Sequence, residues 1–555
     1  MKKIWKLVLV SLCTLAVLTG CGQKTENADS SVLENLYEDA VKIELSDETI
    51  LVDGTAVSND SQQAVYIAND IVFYLEGQDF TYGEGSAEDE HSQAEADKHT
   101  VVHITKPGTY ALSGQLSYGQ VAIDLGDDAK KDENAVVNLI LNGVDINCDV
   151  APAVIFYNVY ECGNDEAESA TKDVDTSGAG ANVYIADDTE NNVTGSYVAR
   201  IYESYELSED GTEVVDSKKL HKYDAAFYSK RTMNINGGTK GNGILNIVAQ
   251  NEGLDSELHL TINGGIINIE SGNDGINTNE DEVSVTTING GSLNILVNGS
   301  TGEGDGIDSN GWLVINGGTV IAQACSDSGD AGIDSDMGIH INGGTVIATG
   351  NMLDRISESN STYAVFSFSE RQAGGNTYTL KNDAEKTVFE FKNTNAFTYL
   401  ILSGAELLEG NYTLWCNDNQ CEGVSEAGFG GADMGQPNES GEIPENGVTP
   451  EGMEKPENME MPENGVMPEG MEKPENMEMP GNGVMPEGME KPENMEMPEN
   501  GAIPEGMEKP ENMEMPENGR MQGGMGEMQA MGESATIFAI VKGANQFRSV
   551  TVINS

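Results

Sequence analysis

Between about residue 224 and residue 350, apolar and polar side chains alternate in short stretches, as in Leu258-His259-Leu260-Thr261-Ile262 and Ile266-Ile267-Asn268-Ile269. Successive strand side chains point to opposite faces, so this is a strand period and not a helical one. Ile-Asn-Gly-Gly punctuates the stretches, beginning at Ile235, Ile262, Ile288, Ile315 and Ile341, with steps of 27, 26, 27 and 26 residues. A fixed step of this length predicts a solenoid. Each unit therefore reads as one coil of a parallel β-helix that turns at Asn-Gly-Gly, where glycine reaches positive φ without steric cost. Coils in register stack at the strand spacing of roughly 4.8 Å. Asn236, Asn263, Asn289, Asn316 and Asn342 should then bond amide to amide as a structural ladder.

Less regular strands precede the repeats, from Val101 to Ala186, with polar insertions at Glu161–Gly180 and Tyr202–His221. Short strands are expected over Val41–Phe80, and Thr81–Lys98 reads as a loop. After Gly350 the period stops and closely spaced strands follow, which reads as an antiparallel cap over 351–432. An open solenoid end needs such cover, because its unpaired strand edge would otherwise recruit other chains. Residues 433–533 are a different material, with 19 of the 23 methionines and 14 of the 16 prolines. Proline at that density excludes a regular helix or strand, so a disordered insertion is expected. Its Met-Glu-Met units resemble thioether copper motifs, but an acidic spacer is the simpler reading. Strand patterns return in 534–555 and should pair with the cap, since a short strand pair does not stand alone. The coils and their approach occupy 41–350.

A formal charge of −64 argues against nucleic acid as a partner and invites cations. The N-terminus has Lys2, Lys3 and Lys6, then an apolar run from Leu7 to Leu18 that is too short to span a bilayer. Leu18-Thr19-Gly20-Cys21 follows and resembles a bacterial lipobox. That implies a signal peptide over 1–20, lipidation of Cys21, a tether over 21–40, and residence on the outer face of a membrane. Five further cysteines make no disulfide framework, although Cys416 and Cys421 are close enough to pair.

A second element recurs between the turns: Glu252-Gly253-Leu254-Asp255-Ser256, Asp274-Gly275-Ile276-Asn277-Thr278, Asp305-Gly306-Ile307-Asp308-Ser309 and Asp330-Ala331-Gly332-Ile333-Asp334-Ser335. The repeat register puts Asp308 and Asp334 on one edge of adjacent coils, with Asp305 and Asp330 beside them. Two bare carboxylates ~5 Å apart repel by roughly 3 kcal/mol at an effective dielectric of 20. Such a row calls for a cation, and an all-oxygen donor set suits Ca²⁺. The candidate ligands are Asp255, Asp274, Asn277, Asp305, Asp308, Asp330 and Asp334. The glycine in each motif should let the backbone turn its carbonyls inward. Trp312 stands outside the core phase set by Leu313 and Ile315, and His259 occupies the equivalent place in an earlier coil. Both are candidate carbohydrate contacts. No Lys or Arg occurs between Gly241 and Gly350, which leaves a uronate lyase without its usual base there, so no enzyme activity is expected.

Gly108-Thr109-Tyr110-Ala111-Leu112-Ser113-Gly114, Leu139-Ile140-Leu141-Asn142-Gly143-Val144-Asp145-Ile146, Asp224-Ala225-Ala226-Phe227-Tyr228-Ser229-Lys230 and the repeats to Gly344 come in a telling order. They resemble the β-helical carbohydrate-binding proteins of clostridia and relatives, whose folds are similar to pectate lyases. The resemblance implies an all-β, right-handed parallel β-helix, bound Ca²⁺, and affinity for plant cell-wall glucans or polygalacturonate. The expected partners are polysaccharide and, through the lipid, a membrane; the chain is expected to be a monomer. A structural surface protein or adhesin is the alternative, and a polysaccharide lyase a further one.

Overall fold

The computed structural model describes residues 36–357, 359–425 and 534–553. The expectations for the signal segment, Cys21 and the 433–533 insertion lie outside the described residues. The molecule is all-β, with a 25-stranded mixed sheet, an eight-stranded sheet and a separate two-stranded hairpin. Among the described residues helix is limited to short pieces such as Gln93–Ala96, which Ser92 and Glu95 close with a reciprocal capping box. The expected loop over 81–98 thus contains one helical turn.

The repeats form parallel ladders in register. One ladder runs through Ala181–Ile185, Met233–Asn236, His259–Ile262, Val285–Ile288, Trp312–Ile315 and Gly338–Ile341. A second runs through Glu190–Gly195, Ile244–Ala249, Ile266–Ser271, Ser292–Val297, Thr319–Gln323 and Thr345–Gly350. The third is the eight-stranded sheet: Val65–Ala68, Thr100–Ile104, Gly119–Asp124, Val154–Asn158, Ala225–Ser229, Glu252–Ser256, Ile276–Thr278 and Ile307–Ser309. Its first pair is antiparallel and the rest are parallel.

All three ladders point aliphatic side chains at one core. Ile235, Ile262, Ile288, Ile315 and Ile341 come from the first, Ile247, Ile269 and Ile295 from the second, and Leu254, Ile276 and Ile307 from the third. Each is at most 3% exposed. Burying such a side chain contributes about 1.5–3 kcal/mol, so every repeat adds several such increments. The asparagine ladder forms as expected. Asn263, Asn289, Asn316 and Asn342 each donate from Nδ2 to the Oδ1 of the asparagine one repeat earlier, at 2.9–3.0 Å. Asn360 extends it onto Asn342 at 3.0 Å. A second ladder, which the repeat motif did not announce, links Asn246, Asn268 and Asn294 back to Asn192. At four of the five turns the second glycine takes positive φ, as at Gly291 (86°) and Gly318 (77°).

After the last repeat, Phe397–Ser403 pairs antiparallel with Thr345–Gly350 and with Tyr363–Gln372. The chain returns late: Phe538–Ile540 joins Gly410–Cys416, and Ala544–Val552 lies between Tyr363–Gln372 and Asn419–Ser425. The pairing of Ala544–Val552 with Tyr363–Gln372 is parallel, which an all-antiparallel cap did not anticipate. These strands bury their own aromatic core, including Phe366, Tyr378, Phe397, Phe538 and Phe547. Cys416 and Cys421 are both buried and free, so no disulfide joins them. Of the two insertions, Tyr202–Leu207 and Val214–Lys219 form the separate hairpin. The other lies over the first ladder, where Thr176 bonds Thr261 at 2.8 Å and Glu161 accepts from the Thr232 backbone at 2.8 Å.

Candidate functional site

The eight-stranded sheet alternates cleanly. Phe227, Leu254, Ile276 and Ile307 point to the core. Tyr228, Asp255, Asn277 and Asp308 occupy the intervening outward row, paired in that order across adjacent strands. Asp334 continues the row beyond the last assigned strand, with its backbone N–H donating to the Ile307 carbonyl at 2.7 Å. Asn277 lies eleven residues before the next Asn-Gly-Gly isoleucine where Asp308 lies seven, and the turn after it absorbs the extra four, so its register holds.

The motif glycines act by closeness rather than by positive φ. A Cβ on Gly306 would lie 2.3 Å from the Gly332 carbonyl oxygen, and one on Gly275 would lie 2.2 Å from Ile295 Cγ2. Only glycine lets the turns stack this tightly, and the Gly275 and Gly306 carbonyls, expected to turn inward, accept instead from the Leu254 and Ile276 N–H groups at 3.1 and 3.2 Å. Tight stacking brings the turn acids together. Asp305, Asp308 and Asp334 each offer a carboxylate oxygen within 4.8 Å of the others. Asp274 sits alongside, accepting from the Asp305 N–H at 2.7 Å, and Asp305 accepts from the Ala331 N–H at 2.5 Å. Asp330 stands outside this trio, its Oδ2 accepting from the Gly304 N–H at 2.5 Å and from Ser328 Oγ.

Burial, then the neighbouring carboxylates, pushes these acids upward. Burial and Asp274 carry Asp305 to about 9. Burial with Asp274 and Asp334 takes Asp308 to about 7, and burial takes Asp274 to about 7. Burial and Asp354 take Asp334 to about 6. The group thus resists full ionisation, because each new charge is desolvated beside the last.

Asp255 and Asn277 belong to a second group one step along the row. It is completed by Glu252, whose Oε1 accepts from Asn277 Nδ2 at 3.1 Å. Glu252 Oε2, Asp255 Oδ2 and Asn277 Oδ1 are buried and have no hydrogen-bond partner among the described residues. Burial holds Glu252 and Asp255 well above the usual carboxylate range, each also raised by a neighbouring acid. Glu252 stands in the motif position that Asp305 fills in a later coil, the signal by which sequence reading could have found it. Asp354 lies outside the repeats, and no motif marked it. Both groups offer only hard oxygen donors, and the orphaned oxygens fit a Ca²⁺-sized oxygen site.

The two proposed sugar contacts separate. Trp312 is half-buried on the first ladder, flanked by Val285 and Gly338. His259 is buried at 2% exposure. Its Nδ1 accepts from the Val285 N–H at 3.1 Å, and Gly163 packs on the other nitrogen. The 161–180 insertion covers it, so it does not face a saccharide.

A family model described as a carbohydrate-binding domain-containing protein matches residues 98–394, just over half of the chain. The chain belongs to that family. A carbohydrate-binding domain-containing protein of Acetivibrio thermocellus is 32% identical over 172 residues, which span 31% of this chain and 45% of the relative. The chain therefore matches less than half the length of that relative. A solved polysaccharide lyase-like protein from C. thermocellum, determined as a gadolinium derivative, is similar at 20% identity with a TM-score of 0.32. That similarity covers 58% of this chain and 92% of that one.

Proposed function

We propose that this protein binds a cell-wall polysaccharide, a plant glucan or a polygalacturonate-type chain, through a Ca²⁺-supported right-handed parallel β-helix held at the cell surface by lipid on Cys21. Family membership supports carbohydrate as the ligand. The parallel ladders around one core support the helix. The observation that carries the metal is the convergence of Asp305, Asp308 and Asp334 within 4.8 Å. Ca²⁺ held there would offset their mutual repulsion and offer the positive charge that a uronate chain needs to approach a surface of net charge −64. The role is binding and not lysis, since no Lys or Arg lies in the coils from 241 to 350 to take a proton.

The test is binding of polygalacturonate to the purified protein with Ca²⁺ and with EDTA. Retention only in Ca²⁺, without growth of unsaturated-uronate absorbance, is expected. Tight binding in EDTA at low salt would rule out metal bridging. Absence of binding to any glycan in either condition would reject the carbohydrate reading.

A further inference from the structure

The two faces of the cap sheet meet different partners. Along the paired strands Tyr363–Gln372 and Ala544–Val552, Phe366, Phe368, Phe547 and Val550 point into the cap's own core. Val365 points the other way and joins the core of the ladders, as does its cross-strand partner Ile401. Gln546 pairs with Val365 and so shares that second face. A short segment stands opposite. After Gly350 the chain runs beside the last repeat: the Asn351 and Met352 N–H groups donate to the Asp330 carbonyl at 2.8 and 3.0 Å. Ile356 then bridges Ile339 in parallel, and the Ser357 N–H donates to the Ile339 carbonyl at 2.8 Å. Residues 351–357 thus lie one strand step beyond 330–339, and Asp354 comes next to the row that ends at Asp334.

The surface between this segment and the cap strands is hollowed. One hollow of about 600 Å³ has Ser367, Tyr399, Gln546 and Arg548 in its lining. A second of about 360 Å³ has Asp354, Arg355, Tyr363 and Gln546. Both also touch Leu353, so they adjoin as one groove. Each falls within the roughly 300–1,000 Å³ of small-ligand clefts. Ser367 Oγ and Asp354 Oδ2 are buried there without a hydrogen-bond partner among the described residues. Buried polar atoms are paired in most folds, so these two suit a partner that enters the groove. Tyr363 and Tyr399 are half-buried in its walls. Two arginines against one acid leave the groove net positive, in a chain of net charge −64 with no Lys or Arg between Gly241 and Gly350.

We propose that this groove is a saccharide subsite for an acidic polysaccharide, holding the sugars that extend beyond the metal-binding acids. The proposal rests on the polysaccharide-binding reading and adds where the remaining uronates sit. A guanidinium meets a carboxylate through two parallel hydrogen bonds, so Arg355 and Arg548 favour uronate over neutral sugar. Ser367, Gln546 and Asp354 supply donors and acceptors for ring hydroxyls, and the tyrosine rings offer a face to the C–H side of a pyranose. Asp354 lies one strand step, roughly 4.8 Å, beyond the row, so a chain seated on Ca²⁺ at Asp334 reaches the groove.

The test is calorimetric titration of the whole chain in Ca²⁺ with a trimer and a decamer of galacturonate. Gln546→Trp fills the shared centre of the groove without changing charge. Arg355→Met combined with Arg548→Met removes the charge and keeps much of the bulk. The decamer should bind the parent more tightly than the trimer does. Each variant should lose at least tenfold in decamer affinity, while the trimer, which controls for net charge, and Ca²⁺ itself bind as they do to the parent. Equal parent affinity for trimer and decamer, or unchanged decamer affinity in Gln546→Trp, overturns the groove and leaves the metal-bridging reading intact. No galacturonate binding by the parent overturns both. Melting curves separate lost contact from lost fold. Both arginines are exposed, so their variant keeps the test decisive if Gln546→Trp unfolds.

Discussion

One face of one sheet carries two opposite solutions. At Tyr66 and His103 the outward row is filled by rings that satisfy one another by stacking. At Asp305, Asp308 and Asp334 the same face carries charges that oppose one another. Backbone pairing is equally regular at both ends. The difference is therefore one of side-chain chemistry: the aromatic end is complete by itself, whereas the acidic end is strained until protons or a cation reach it. A parallel ladder makes this sharp, because identical positions recur every ~4.8 Å and any charge is repeated against itself.

The largest test of this contrast is the metal. Ca²⁺ at about a thousand times its dissociation constant should add about 4 kcal/mol to unfolding. EDTA should remove that gain, and Asp308→Ala and Asp334→Ala should each forfeit most of it. Hydrogen exchange should place the change at residues 274–336 and spare 100–124. Equal melting temperatures in Ca²⁺ and EDTA would erase the distinction between the two ends.

Next in size is Gly306→Ala. The added methyl would meet the Gly332 carbonyl oxygen at 2.3 Å, so the stacked turns must part. A loss of about 1–3 kcal/mol is expected, together with weaker Ca²⁺ binding. Denaturant melts with and without Ca²⁺ would show it, and a variant as stable as the parent would mean the turns are not tightly stacked.

The pH response should follow in EDTA. Asp305, Asp308 and Asp274 have folded values of about 9, 7 and 7, all above those of the unfolded chain. Their contribution is complete below the unfolded values and is lost as pH rises through the folded ones. Between pH 6.5 and 9 the unfolded chain is ionised at these positions, so each carboxyl still protonated in the fold costs about 1.4 kcal/mol per pH unit. Burial lowers His221 and His259 to about 4, so both are neutral in the fold there, and their opposite effect is confined to lower pH. Stability in EDTA should thus fall as pH rises across this window. In Ca²⁺ the fall should vanish, because the bound metal takes the ionised form. A flat profile in EDTA would show that the acids are not mutually destabilising.

The smallest effect concerns a feature away from both ends. Asn289→Ala removes one rung that bonds Asn263 and Asn316 at 2.9 and 3.0 Å. The site is exposed, so the loss should be about 1 kcal/mol, independent of Ca²⁺. A Ca²⁺-dependent loss would tie the asparagine ladder to the acidic end.

Much of this was legible in the chain. A repeat step of 26 or 27 residues with strand alternation determined the parallel ladders, the inward isoleucines and the asparagine rungs, because each depends on one position recurring at a fixed interval. The placing of Asp308 and Asp334 on one edge followed from the same register, whereas Asn277, four residues out of step in the sequence, was brought into line by the turn after it. What the period could not carry was decided by tertiary packing. Coverage of His259 came from an insertion without periodicity. Glu252 carried a signal in the repeat, at the motif position of Asp305, whereas Asp354 became a candidate only through a buried oxygen without a partner among the described residues. The aromatic end joins Tyr66 and His103 from segments that share no motif. Repeats write their register into the sequence because the same contact is made many times. A site assembled once, from dissimilar segments, leaves no such record, and only the folded backbone brings it together.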